Sequence, residues 1–501
     1  LLWQTTEYAY TTLSIAATGN YLSVGDASGN KTYILDISNG EVLSTIDNPN
    51  AYATPDGDLF GSAVAMTSSK ILVGATNEDS PAELGSGKVY LFEYNPAAGS
   101  GSYVADLYTL SYDNPDSNEY IRDASYVVNS YTTYEINDYV SNYVTEYTTD
   151  YTSRSVPLLQ TLNNPNAYGT SENDYFSGYT GNCVAISGNY AIVGAYGEDD
   201  AGGTTSGKAY IFNVTTGALL HTLDNPNAYG TSESDYFGYS VAISDNYAIV
   251  GATFEDEDNA DFSGKAYVYD VLTGSLLYTL NNFNDIAFRP TDRFGSSADI
   301  SGNYAIIGAV GANKAYIFDI TTGNLIHSLS GIGGSSFGYS VAISDNFAIV
   351  GAWSISDDGG TSSGKAYIYN ISTGSLIHTL DNPNAYGTSS TDRFGEQVDI
   401  DGNYAIVGAY GEDESGGSGS GKAYIFDANT GALIHTLDNP NAYGTSQSDS
   451  FGWSVAISGN YAVVGAIYED DAGGTSSGKA YIFNVTTGAL IHTLDNPNAY
   501  G

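Results

Sequence analysis

The tract from Thr222 to Ala252, TLDNPNAYGTSESDYFGYSVAISDNYAIVGA, returns almost word for word at Thr379–Ala409 and Thr436–Ala466. The glycine of its closing Val-Gly-Ala marks a register at Gly74, Gly194, Gly251, Gly308, Gly351, Gly408 and Gly465, and Tyr-Leu-Ser-Val-Gly-Asp puts Gly25 in the same place. Four of the intervals are 57 residues long. Length alone would suggest about three domains, but a period of this size describes units that cannot bury their own faces and must stack on copies of themselves. The chain therefore reads as one domain over residues 1–501, of about eight units.

Each unit holds four short runs rich in β-branched and aromatic residues. In the last unit these are WSVAIS, YAVVGA, KAYIFNV and ALIHTL, labelled A to D. Such runs are strand-like. Gly-Asn or Asp-Asn separates A from B, and Thr-Thr-Gly separates C from D, both suited to tight hairpins. The B–C and D–A links are longer and polar. Four antiparallel strands per repeat is the signature of a β-propeller. The class is all-β, with eight blades expected; seven is the alternative, because the Phe-Gly element that opens strand A occurs six times and once more in disturbed form at Phe176–Gly178. Leu1–Thr5 reads as a spare D strand that could close the ring, and both ends of the chain read as those of a piece of a longer or processed protein.

The series FGYSVAIS, YAIVGA, GKAYIF resembles the FG-GAP repeat, the blade unit of the integrin α-subunit propeller and of many bacterial and phage surface proteins. Phe-Gly stands at Phe60, Phe237, Phe294, Phe337, Phe394 and Phe451. The resemblance covers nearly the whole chain outside about 111–157 and implies a surface binding or adhesion role. The family's calcium loop, D-x-D-x-D-G-x-x-D between A and B, is not matched: Asp399, Asp401 and Gly402 come nearest and the other ligands are missing.

Composition narrows the function classes. With 14 basic against 57 acidic residues the formal net charge is −43, which repels phosphate backbones and anionic membranes; neither nucleic acid nor membrane insertion is expected. Cys183 is the only cysteine, so no internal disulfide forms. Residues 111–157 break the pattern with a Tyr/Thr-rich tract, either an insertion presenting tyrosines to a partner or a degenerate blade. Tyr139, Tyr143 and Tyr147 within it are candidate ligand-binding residues, because tyrosine offers large contact area with a polar tip.

Strand alternation places the A–B and C–D turns on one face and the long B–C and D–A links on the other. The second face gathers Tyr229, Tyr386 and Tyr443, candidate ligand contacts, and the acids Glu198, Asp199, Asp200, Glu412, Asp413, Glu469, Asp470 and Asp471. Those acids are the candidate metal ligands, with calcium the cofactor they would take; solvated surface acids are the plainer account. Eight of nine lysines open strand C, as exposed ion pairs contributing at most about 1 kcal/mol each. All five histidines share one position in strand D, on the outer rim, and lack metal spacing. Asn30, Asn213, Asn370 and Asn484 lie in glycosylation sequons that turn chemistry explains equally well.

No nucleophile elbow, phosphate loop or dinucleotide fingerprint occurs, and the chain is read as a non-enzyme. The expected function is an extracellular, cell-surface or virion-surface binding module acting on a surface protein or glycan. A structural component (fibre, sheath or capsid decoration) that assembles with copies of itself is the alternative. A propeller enzyme of the quinoprotein kind ranks below both, since that family docks its blades with many tryptophans and this chain has three.

Overall fold

The apolar runs become strands for different reasons at different depths. Strand B in its YAIVGA form is buried along five of six positions, as in Tyr404–Ala409, and strand C likewise, as in Lys422–Asp427. Strand D is exposed or half-buried along most of its length, as in Leu433–Asp438, where Leu437 is the buried position. Inner strands are covered on both faces by neighbouring sheets and so carry continuous apolar side chains, whereas the outermost strand is an edge.

In the computed structural model the described residues are 13–18, 21–26, 30–36, 42–49, 60–67, 70–75, 88–93, 158–165, 174–177, 183–199, 204–226, 234–244, 246–256, 262–282, 291–331, 336–356, 360–383, 390–413, 418–440, 448–469 and 478–495. They form eight antiparallel sheets, each of four consecutive strands. These are blades 1 (13–47), 2 (60–163), 3 (184–224), 4 (237–280), 5 (294–330), 6 (341–381), 7 (398–438) and 8 (451–495). Each A strand touches the A strand of the next blade, and β29 (Phe451–Ser458) meets β1 (Leu13–Thr18) to close the circle. The ring has eight blades, and the first unit is a full blade. Residues 1–5 lie outside the described residues. Blade 8 supplies its own D strand, Leu490–Asp495, so closure requires no borrowed strand.

The interval 94–157 falls between β7 (Lys88–Glu93) and β8 (Leu158–Asn163), which pair within blade 2. It occupies that blade's C–D link and is joined to the ring on the face of the short turns. Tyr139, Tyr143 and Tyr147 lie outside the described residues.

Blades lock through the Phe-Gly element. Phe451 is fully buried in a cluster that mixes Ile406, Ala423 and Leu437 of blade 7 with Tyr481 and Phe483 of blade 8. Phe237 and Phe394 do the same at their own seams. The Phe451 backbone also bridges Gly421 of the preceding blade. Gly421 has φ +81°, and a Cβ there would sit 2.0 Å from the Phe451 carbonyl oxygen. The register glycine Gly408 is required for a related reason: its Cβ would lie 2.1 Å from the Gly452 oxygen. The repeat spells out one blade-to-blade contact, copied around a ring.

A polar stitch accompanies it. Ser14, Ser240 and Ser297 each donate from Oγ to the Phe-Gly glycine carbonyl of the next blade, at 2.7–3.0 Å. Cys183 holds the same strand position in blade 3 and donates to the Tyr239 carbonyl at 3.2 Å, so the single thiol is a buried serine substitute.

The strand C lysines correct the expectation of exposed ion pairs. Lys208, Lys265, Lys422 and Lys479 are buried, at 1–3% exposure. Lys265 pairs with buried Glu255 at 3.0 Å and Lys479 with buried Glu469 at 3.1 Å, while Lys208 and Lys422 reach the exposed Asp224 and Asp438. Lysine stems pack inside the sheet while the charge finds a carboxylate. The histidines are also more than rim decoration. His221, His378 and His435 each reach a backbone carbonyl in the C–D turn of the following blade, at 2.8–3.1 Å.

Candidate binding collar

Two backbone features aim side chains at the mouth of the ring on the B–C/D–A side. The residue before Phe adopts a left-handed conformation, with φ 52–58° at Tyr175, Tyr236, Arg293, Arg393 and Ser450. Then the A–B ladder skips two residues after Phe: Phe451 pairs with Ala466 and Ser454 with Gly465, leaving Gly452 and Trp453 in a bulge. A bulge re-aims its side chain. The same skip releases Tyr239 in blade 4 and Ser296 in blade 5. The residue after Val-Gly-Ala, at the end of strand B, opens onto the same mouth and supplies Tyr196, Trp353 and Tyr410.

These positions meet as two aromatic arcs. In blades 3–5, Tyr175 stacks on Tyr196 at 5.2 Å, Tyr196 contacts Tyr236 and Tyr239, Tyr236 meets Phe254 at 4.9 Å, and Arg293 lies 5.0 Å over Phe254. In blades 6–8, Tyr339 approaches Trp353 at 6.2 Å. Arg393 sits 4.8 Å over Trp353 and 5.3 Å over Tyr410, and Tyr410 packs on Trp453 at 4.6 Å. Arg393 donates to the Tyr410 hydroxyl and to Glu396, the latter at 3.3 Å.

The electrostatics follow from burial. Burial raises the Glu396 carboxyl above its usual range although Arg393 opposes this. Burial works against the Arg393 charge, and Tyr410 and Glu396 outweigh it. Burial likewise pushes the Tyr339 phenol up to about 12, with Glu396 adding to the effect. The collar hydroxyls of Tyr339 and Tyr410 thus stay protonated, and each can donate and accept.

Beneath the collar the A strands enclose a channel cavity of about 350 Å³. At one equivalent position six blades place alanine (Ala16, Ala65, Ala185, Ala242, Ala342, Ala456), and blades 5 and 7 place Asp299 and Asp399. Each aspartate accepts from its own following amide at 2.8 Å and from an amide of the next blade: Ile343 for Asp299 at 2.9 Å, Ile457 for Asp399 at 2.8 Å. The A strand is an inner edge, and these carboxylates satisfy amides that have no ladder partner. Desolvation raises Asp299 to about 6 and Asp399 to about 7.

The described acids among those singled out from sequence divide between the buried stem and the loop. Glu198, Glu412 and Glu469 are fully buried, and each accepts from a strand C tyrosine hydroxyl: Tyr210 and Tyr424 at 2.6 Å, and Tyr481. Burial raises Glu198 to about 7. The Glu198 carbonyl also receives Ser206 Oγ and the Gly207 amide, closing the stem of the B–C loop. Asp199 and Asp413 accept loop amides of Thr205 at 2.8 Å and Gly419 at 2.9 Å. Asp200, Asp470 and Asp471 lie outside the described residues, as do Tyr229, Tyr386 and Tyr443. Among the described residues no group of three or more His, Cys, Asp or Glu side chains is arranged to hold a metal. The loops bearing those three tyrosines are anchored at their bases by Asn225–Asp235, Asn382–Asp392 and Asn439–Asp449, each bonded at 2.7–2.9 Å. Asp401 accepts from the Gly459 amide at 2.7 Å.

The arcs lie on the face of the long B–C and D–A links, and none of their members is among the residues that the sequence singled out. Tyr239, Tyr339, Trp353, Arg393, Glu396, Tyr410 and Trp453 occupy the positions flanking Phe-Gly and Val-Gly-Ala where the repeats disagree, and that disagreement was the available signal.

The family model of the FG-GAP repeat matches residues 53–92, 167–212, 227–269, 330–369, 384–426 and 441–483, together more than half of the chain. No curated protein matches. Among solved structures, dihydro-heme d1 dehydrogenase NirN in complex with DHE is similar over 96% of this chain and 76% of its own, with TM-score 0.50 and 10% identity. That likeness is one of fold.

Proposed function

The chain belongs to the FG-GAP repeat family, and on that premise we propose that it is a binding module of a cell or virion surface whose contact surface is the aromatic collar. The observation that carries this reading is the series Tyr339–Trp353–Arg393–Tyr410–Trp453, half-exposed aromatic and arginine side chains on a rigid rim. Trp, Tyr and Arg are the residues that dominate binding energy at interfaces. Loops on a fixed scaffold are where recognition concentrates. Among the described residues no helix is long and apolar enough to cross a membrane.

The test is binding of the labelled chain to cells by two variants. Trp453→Ala with Tyr410→Ala removes collar faces; Thr215→Lys with Thr486→Lys recharges exposed C–D turns on the opposite face. Loss confined to the collar variant supports the reading, and loss confined to the turn variant overturns it.

A second reading, a self-assembling structural component, draws on the outer rim. Leu219, Leu276, Leu376, Leu433 and Leu490 recur at the start of strand D, each about 40% exposed. Repeated apolar rim positions suit subunit contacts. A sedimentation profile that moves to larger species with concentration, and reverts in a Leu376→Ser/Leu433→Ser variant, would favour it.

A further inference from the structure

The collar's own charges restrict what it can hold. The space between Trp353 and Tyr410, where a cation from outside would stack, is filled by Arg393 of the chain itself. Glu396 already balances that guanidinium. The other arc repeats the device with Arg293 over Phe254. A cationic ligand therefore meets a resident cation on each arc. An anionic ligand meets a molecule of net charge −43, whose field slows and weakens its approach.

An uncharged ligand with apolar faces and a hydrogen-bonding edge remains complementary. Tyr339 presents its ring to solvent at 41% exposure, and Trp453 offers the face beside Tyr410. Protonated phenols, the Arg393 fork and the Glu396 carboxyl supply donors and acceptors at the same rim. A pyranose ring has this dual character: its C–H face packs on aromatic rings, and its adjacent hydroxyls suit a guanidinium–carboxylate pair. We infer that the collar binds a neutral saccharide. This rests on the collar being the contact surface and adds the ligand class.

Trp353 and Trp453 are two of the chain's three tryptophans, so binding is readable without a label. The experiment passes the full chain over dextran, mannan and chitin matrices, with hyaluronan and poly-lysine matrices alongside, and titrates tryptophan emission with soluble fragments of the same neutral glycans. The expected result is retention on at least one neutral matrix, elution by its fragment, and a saturable emission change. Trp453→Ala and the more exposed Tyr339→Ser should each weaken retention at least tenfold, while Thr215→Lys leaves it unchanged. Circular dichroism confirms that the variants keep the fold. Failure of all three neutral matrices overturns the saccharide; if the same variants then lose poly-lysine binding, the collar stands as a contact surface for a basic partner. Saccharide retention that both collar variants preserve overturns the collar itself.

Discussion

His378 of blade 6 lies against Gly431 of blade 7, with its ring where a Cβ on that glycine would have to go: the nearest ring atom is 2.6 Å from the position. The imidazole Nε2–H donates to the Asn429 carbonyl in the same turn at 2.8 Å. Gly274, Gly374 and Gly488 face His221, His327 and His435 in the same way. The Thr-Thr-Gly-type turn thus serves its own hairpin and also receives the preceding blade, an outer clasp opposite the inner Phe-Gly lock.

Gly431→Ala should destabilise the chain by about 1–3 kcal/mol, because alanine must adopt φ +70° and displace the ring. Urea melts of Gly431→Ala, His378→Ala and the double variant measure it. The two losses should be less than additive, since removing the ring removes the clash; strict additivity would show that the two residues do not meet.

Phe451→Ala should cost about 3–5 kcal/mol, as the side chain is fully buried and bordered by Tyr481 at 5.5 Å and Phe483 at 6.0 Å. Phe262→Ala, 40% exposed, should cost well under half of that. Equal losses in urea melts would mean that Phe451 is not a blade-to-blade anchor.

Tyr424→Phe should cost about 1–3 kcal/mol by leaving the buried Glu412 carboxylate without its 2.6 Å donor. The conservative shape keeps packing intact, so the loss reports the hydrogen bond. A variant as stable as the parent at pH 8 would show that the loop stem does not depend on it.

Asp299 and Asp399 give a pH dependence of defined sign. Both carboxyls are raised on folding, from 3.8 to about 6 and about 7. The folded state then binds more protons than the unfolded state between these values, so their contribution is full below about pH 4 and is lost as pH rises through 6 and 7. Stability should fall by roughly 2 kcal/mol in total from this pair between pH 5 and pH 8, discounted because both side chains keep some surface in the channel. Repulsion among the many surface acids acts in the same direction, so the comparison is with Asp299→Asn/Asp399→Asn. A variant whose melting temperature keeps the full pH slope would remove these two groups as its source.

The scaffold was legible in the sequence because each blade must present the same surfaces to both neighbours. Phe451, Gly421 and Gly408 cannot vary independently of their copies, and a ring forces the copies into view. The collar was illegible for the converse reason. Tyr239, Tyr339, Glu396 and Trp453 follow the same Phe-Gly element, yet no two blades need agree there, and only the bulge and the closed circle make them neighbours. The burial of Glu198, Glu412 and Glu469 was hidden because they head acidic tracts that look solvated as a whole. The chain leaving strand B turns that one carboxylate inward to a tyrosine, while Asp199 and Asp413 stay with the loop.

Among the described residues no blade borrows a strand from its neighbour, and the tract Asp-Asn-Pro-Asn-Ala-Tyr-Gly begins where strand D ends, at Asp224, Asp381, Asp438 and Asp495. A blade is therefore a cassette. Unequal crossing-over between two such tracts joins the end of one sheet to the start of another and never cuts through a hairpin. Whole blades can be exchanged, duplicated or deleted in a single genetic event, those that carry Phe-Gly and the strand D histidine arriving with inner lock and outer clasp together.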